Sequence, residues 1–92
     1  MAIFKLFRER KVALPDDRRE RLLKNGRITE GTILDSDDEN TQVSYIYSVS
    51  GADYESTEFL TDEQRLRAAN YAPGAKVSIR YDPRQPGNSV VV

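Results

Sequence analysis

The chain has 92 residues, 14 basic and 15 acidic groups, and neither cysteine nor histidine. That composition sets aside thiol and imidazole nucleophiles, disulfides and the usual zinc ligands, so a metal could rest on oxygen ligands alone. The net charge of −1 hides a segregation: residues 1–27 carry nine basic and four acidic groups, residues 28–63 ten acidic and no basic ones, and residues 64–92 five basic and one acidic.

In chain order, residues 1–14 read as an N-terminal tail ahead of a single small domain over 15–92. Such a domain buries only roughly 60–65 % of its unfolded surface, so its stability margin is thin. In the tail Ile3, Phe4, Leu6 and Phe7 are mixed with Lys5, Arg8, Arg10 and Lys11. This pattern suits partner contact, or peripheral contact with a membrane surface. No apolar run approaches the ~18 residues of a span, and "MAIFKLF" is too soon charged for a secretory leader. A soluble, cytoplasmic protein is expected.

"LPDDRRERLLKNG" predicts a docking helix at about 15–25. Pro15 suits its first position, Asp16 and Asp17 its positive end, and Arg21 and Lys24 its negative end. Gly26 reads as a left-handed C-terminal stop. Leu14, Leu22 and Leu23 give a thin apolar stripe, enough to dock on a sheet.

From Arg27 the period changes to two. "RITEGTILD" is a strand in which Gly31 marks a bulge or a close backbone approach. After the acidic loop "DSDDEN", "QVSYIYSVS" places Val43, Tyr45, Tyr47 and Val49 on one face. Ser50-Gly51 turns the chain into "DYESTEFL", which makes a hairpin. Thr61 and Gln64 form a capping box for a helix over "TDEQRLRAAN", with Leu66 and Ala69 as its buried edge. "KVSIRYD" is a fourth strand with Val77, Ile79 and Tyr81 on one face. The Pro86-Gly87 region, with Gly87-Asn88 admitting positive φ, leads to "SVVV" as the last strand.

This order predicts a mainly β fold: a five-stranded OB-like antiparallel barrel with an N-terminal helix and a short helix between strands 3 and 4. An SH3-like barrel would read nearly the same. The expected core is Ile28, Ile33, Val43, Tyr45, Tyr47, Val49, Tyr54, Phe59, Leu66, Tyr71, Val77, Ile79, Tyr81 and Val91.

Candidate sites are few. Asp35, Asp37 and Glu39 have the alternate spacing of a calcium loop. Asn40 stands where that loop needs glycine and Ile46 where it needs its bidentate glutamate, so a solvated hairpin loop is the better reading. An OB barrel raises single-stranded nucleic-acid binding, but Tyr45 and Tyr47 share a face with core valines, and Asp53, Glu55 and Glu58 would repel phosphates. No nucleophile with a base and no glycine-rich phosphate loop appears, so no enzyme and no cofactor are expected. The interaction candidates are Phe4, Phe7, Arg8, Arg18, Arg21, Arg80 and Arg84, of which Arg80 and Arg84 are free to meet the acidic strands.

Taken together, Gly26, "EGTI", "VSYIYSVSG", Tyr54 and "YAPGAKVSIRYDPRQPGNS" resemble a bacterial domain-of-unknown-function family, number 3592, over roughly residues 26–91. The resemblance implies a small β-rich domain, often placed beside transmembrane helices, with no established activity, cofactor or functional residue. Here the charged helix and the "MAIFKLF" leader stand where a span would be. The functional expectation is a non-catalytic interaction module that contacts protein, itself or another. Single-stranded nucleic-acid binding and a peripheral membrane role are the alternatives.

Overall fold

A computed structural model describes residues 15–37, 39 and 41–92, with the backbone alone at Pro15 and Asp16. The expectations for the tail, including Phe4, Phe7, Arg8 and Leu14, lie outside these residues. The order is α1 (Pro15–Asn25), β1 (Arg27–Ser36), β2 (Gln42–Val49), β3 (Ala52–Phe59), α2 (Asp62–Arg65), a 3-10 turn (Ala68–Tyr71), β4 (Lys76–Asp82) and β5 (Gln85–Val91). The strands form one sheet in the order β3-β2-β1-β4-β5. Every ladder is antiparallel. Counting the reversals, β3 and β5 run in the same direction. These outer strands face each other across a seam, and the sheet is a nearly closed barrel.

Period-two alternation builds the interior, because successive strand side chains leave opposite faces of the sheet. Val43, Tyr45 and Tyr47 are buried together with Ile33, Leu60, Tyr71, Val77, Ile79 and Val91, and Val49, Tyr54 and Tyr81 pack against them. The β2–β3 turn is the expected one, with Ser50 at φ 53° and Gly51 at φ 85°. Two positive φ values give the turn twist that matches paired strands. Gly31 is a close approach: a Cβ there would lie 2.8 Å from Ile79 Cγ1 and 2.9 Å from the Ile46 carbonyl. The irregularity in β1 falls later, between Ile33 and Asp35.

Several expectations are corrected. Ile28 is 62 % exposed, Phe59 71 % and Leu66 85 %. Ile28 has the opposite parity to Ile33 and Phe59 the opposite parity to Tyr54, so both side chains leave the outer face; Leu60, one residue on, enters the core instead. The helix after Thr61 stops at Arg65 and the chain resumes as a 3-10 turn, so a 3.6-residue stripe never develops and Ala69 is exposed along with Leu66. The capping box itself forms, and it is Gln64 that is buried. Gly26 is not left-handed, since positive φ among the glycines occurs at Gly51 and Gly74. It is needed for space, because a Cβ would sit 2.5 Å from the Leu22 carbonyl oxygen and 3.1 Å from that of Tyr81. The last strand begins at Gln85, ahead of "SVVV", and the corner is turned at Pro83-Arg84 without positive φ at Gly87 or Asn88.

Candidate functional site

The polar chemistry of the domain gathers along the seam. Val90 stands opposite Arg80, and the Val92 N–H donates to the Ser78 carbonyl. In an antiparallel ladder the residue between such positions turns its backbone to the other side. Val91 therefore directs its N–H and C=O away from β4, as does Ser89. No ladder meets them. Glu58 Oε1 accepts the Val91 N–H at 3.2 Å. The Val91 carbonyl accepts from Arg19 Nη1 at 2.8 Å and from Gln64 Nε2 at 2.9 Å. The Ser89 carbonyl accepts from Arg18 Nη1 at 2.8 Å, and the Pro86 carbonyl from the Tyr47 hydroxyl. Side chains from α1, β2, β3 and α2 thus complete the edge of β5. Buried backbone groups need such partners, because an unpaired one costs most of its lost hydration.

Each contributor is placed by its element. Tyr54, Ser56 and Glu58 share the inward parity of β3, which sets a carboxylate on an otherwise interior face. Tyr45, Tyr47 and Tyr54 stack in sequence, with ring centroids 5.8 Å and 5.6 Å apart. The Tyr45 hydroxyl lies 2.7 Å from Ser89 Oγ and donates to Glu58 Oε1 at 3.3 Å. Gln64 serves twice: its Oε1 accepts the Thr61 N–H at 2.8 Å while its Nε2 reaches Val91.

Burial dominates the electrostatics. It pushes the Glu58 carboxyl above its ordinary value, although the Val91 N–H, Arg19 and Arg18 pull the other way. Arg19 Nη1 lies 3.4 Å from Glu58 Oε2, the carboxylate side chain being 9 % exposed. Burial likewise pushes Tyr45 up to about 12 and raises Tyr47. Both phenols stay protonated across the physiological range and act here as hydrogen-bond donors.

Several residues proposed as contact points from sequence have internal partners. Arg18 also donates to Asn88 Oδ1 at 2.9 Å. Arg80, expected to be free for the acidic strands, donates to the Gly26 carbonyl at 2.9 Å and fastens the end of α1. Arg84 is exposed, and its backbone N–H is held by Asp82 Oδ1 at 2.8 Å. Arg21 is exposed at the rim of a cavity of about 190 Å³ between α1 and the β4–β5 corner, lined also by Leu22, Asn25, Asp82 and Pro83. Asp35, Asp37 and Glu39 do not converge. Asp35 accepts the Ser36 N–H, while Asp37 accepts the N–H groups of Thr41 and Gln42 and the Thr41 hydroxyl. Among the described residues no three acidic groups come together as a metal site.

Glu58, Gln64 and Ser89 were missed in the sequence as parts of one site. Parity carried a signal for Glu58 and the capping box one for Gln64. Nothing local marked Ser89, whose burial depends on which strand closes the barrel.

The arrangement defines a class: a small, nearly closed antiparallel β-barrel whose seam is completed by polar side chains beneath a short helix. Residues 25–92 match the family described as a domain of unknown function, DUF3592, and the chain belongs to that family. No curated protein and no solved structure matches it. Among the described residues no helix is long and apolar enough to cross a membrane. All of α1 except Asn25 lies ahead of the family match.

Proposed function

We propose that the protein is a non-catalytic, OB-like interaction module of the cytoplasm, and that its partner is protein, a second copy of the chain included. One observation carries this reading: exposed charge is unevenly placed, mostly basic from the end of α1 to the β4–β5 corner and acidic along β3, while Asp17 and Glu20 on α1 and Arg65 and Arg67 at and after α2 carry the opposite sign. Arg21, Lys24, Arg27 and Arg84 are exposed on and beside α1, whereas Asp53, Glu55, Asp62 and Glu63 are exposed on β3 and α2. Opposed patches steer association and favour a partner of complementary charge. The convergent titratable group, Glu58, is tied into the seam, which leaves it poorly placed for acid–base work. Single-stranded nucleic acid fits less well, because Tyr45 and Tyr47 are buried and β2 and β3 carry no lysine or arginine.

Sedimentation of the full chain and of a chain lacking residues 1–12 tests this reading, at low and at high salt. Mass that grows with concentration at low salt and returns to monomer at high salt is expected. A salt-independent monomer sinks self-association, and the partner must then be sought by affinity capture with the same deletion as control.

A further inference from the structure

Among the described residues, α1 is held on the barrel by few contacts. Leu22 is its one described residue below a tenth exposure. The other polar holds among the described residues are Arg18 on Asn88 and Ser89, Arg19 on Val91 and Glu58, and the Arg80 contact to the Gly26 carbonyl. Arg18, Arg19 and Leu22 stand at i, i+1 and i+4, so one side of a short helix presents both guanidinium groups and the leucine. The link to β1 is a single residue, Gly26. The seam itself lies wholly within the span of the family match, and the three residues that grip it lie ahead of that span.

We propose that the seam is a docking groove for an arginine-bearing helix, that α1 is its occupant within the chain, and that α1 of a second copy takes that place by exchange. This rests on the interaction reading and names its surface. The groove is specific in its chemistry. It offers two carbonyls two residues apart on one strand edge, Ser89 and Val91, flanked by the Asn88 amide and the Glu58 carboxylate. All of these accept from guanidinium donors, whose forked geometry can serve more than one acceptor at once. Opening the chain at Gly26 would swing α1 off its own barrel, and the same contacts would then form between copies. No new interface chemistry is required, which is why short, tight hinges favour element exchange. Attachment within the chain has the advantage of a high effective concentration, so exchange grows with protein concentration.

The groove is tested first in the full chain carrying Arg18→Ala and Arg19→Ala, which loosens its own helix. A fluorescent peptide of residues 15–26, PDDRRERLLKNG, should bind it saturably. The same peptide with Arg18 and Arg19 replaced by alanine and Arg21 kept should bind about tenfold more weakly or worse. Equal binding of the two peptides, or binding of neither to a folded chain, overturns the groove.

If that variant loses its circular dichroism, exchange is read in the unmodified barrel. The chain has no cysteine, so Lys24→Cys can carry a spin label at one position. Labelled copies mixed with ¹⁵N-labelled wild type should broaden the Ser89 and Val91 amides of the wild type increasingly with concentration. Absence of broadening up to the solubility limit overturns the exchange. Self-association in the centrifuge without that broadening would leave the interaction reading standing and remove this one.

Discussion

Glu58 is the residue on which the seam turns, and its effect on stability can be signed. Its carboxyl lies above the ordinary 4.5 in the folded chain because burial outweighs its favourable partners. The native state therefore binds that proton more tightly than the unfolded chain does. The stabilisation is fully present below the ordinary value and is lost as pH rises through the folded one. Asp37 has the opposite sign: the Thr41 hydroxyl holds it below its ordinary 3.8. Its contribution is present above that value and fades as pH falls through the folded one. Denaturant titrations across the acid range should show the Glu58 slope vanish in Glu58→Gln. Glu58→Ala should cost about 2–4 kcal/mol, since it strands the Val91 N–H and leaves Arg19 without its carboxylate. Tyr45→Phe removes a hydroxyl paired with buried Ser89 and should cost about 1–2 kcal/mol in the same measurement.

At the scale of elements, the joint between α1 and β1 is the least tolerant. A methyl group at residue 26 would meet the carbonyl oxygens of Leu22 and Tyr81. Gly26→Ala should therefore cost about 1–3 kcal/mol, as overpacking does, and lower the helical signal before the β signal in a thermal scan. The Asp37 carboxylate fastens the loop between β1 and β2, so Asp37→Ala should speed amide exchange at Thr41 and Gln42 while leaving Tyr45 and Tyr47 protected. The strands themselves were legible because alternation is a local property: Val43-Tyr45-Tyr47 and Val77-Ile79 need no partner to declare their inner face. Ile28 and Phe59 misled because an apolar residue was given more weight than its parity. Leu66 misled because the box at Thr61 and Gln64 marks where a helix starts and says nothing of where it stops. The seam as one joined site was not legible, although parity and the capping box marked Glu58 and Gln64 singly. Its partners are separated by 72 residues for Arg19 and Val91 and by 27 for Gln64 and Val91, so only the closed barrel brings them together.

For the molecule as a whole, four antiparallel ladders, two of them with a register shift, are conventional sheet, while the closure is made of guanidinium, carboxamide, carboxylate and phenol groups. Such a closure is open to competition in a way that a ladder is not, since guanidinium chloride supplies the same donors that Arg18 and Arg19 provide. Urea and guanidinium chloride should therefore rank variants differently: Arg18→Ala and Arg19→Ala should lose more of their midpoint in urea than in guanidinium chloride. Equal relative losses in the two denaturants would show that the arginines contribute only bulk packing.

The free side of β5 also has a consequence for how the chain reaches its native state. Val90 to Val92 is a short run of β-branched, uncharged side chains, the kind of segment that adds readily to other strands when its edge is bare. Its ladder to β4 covers one side only, and the other is covered by groups that must already be in place on α1, β2, β3 and α2. Arg19, Gln64 and Glu58 thus act as gatekeepers during folding as well as fasteners afterwards. The first symptom of losing them should be turbidity during refolding from denaturant, growing with protein concentration, at temperatures where the finished fold still holds.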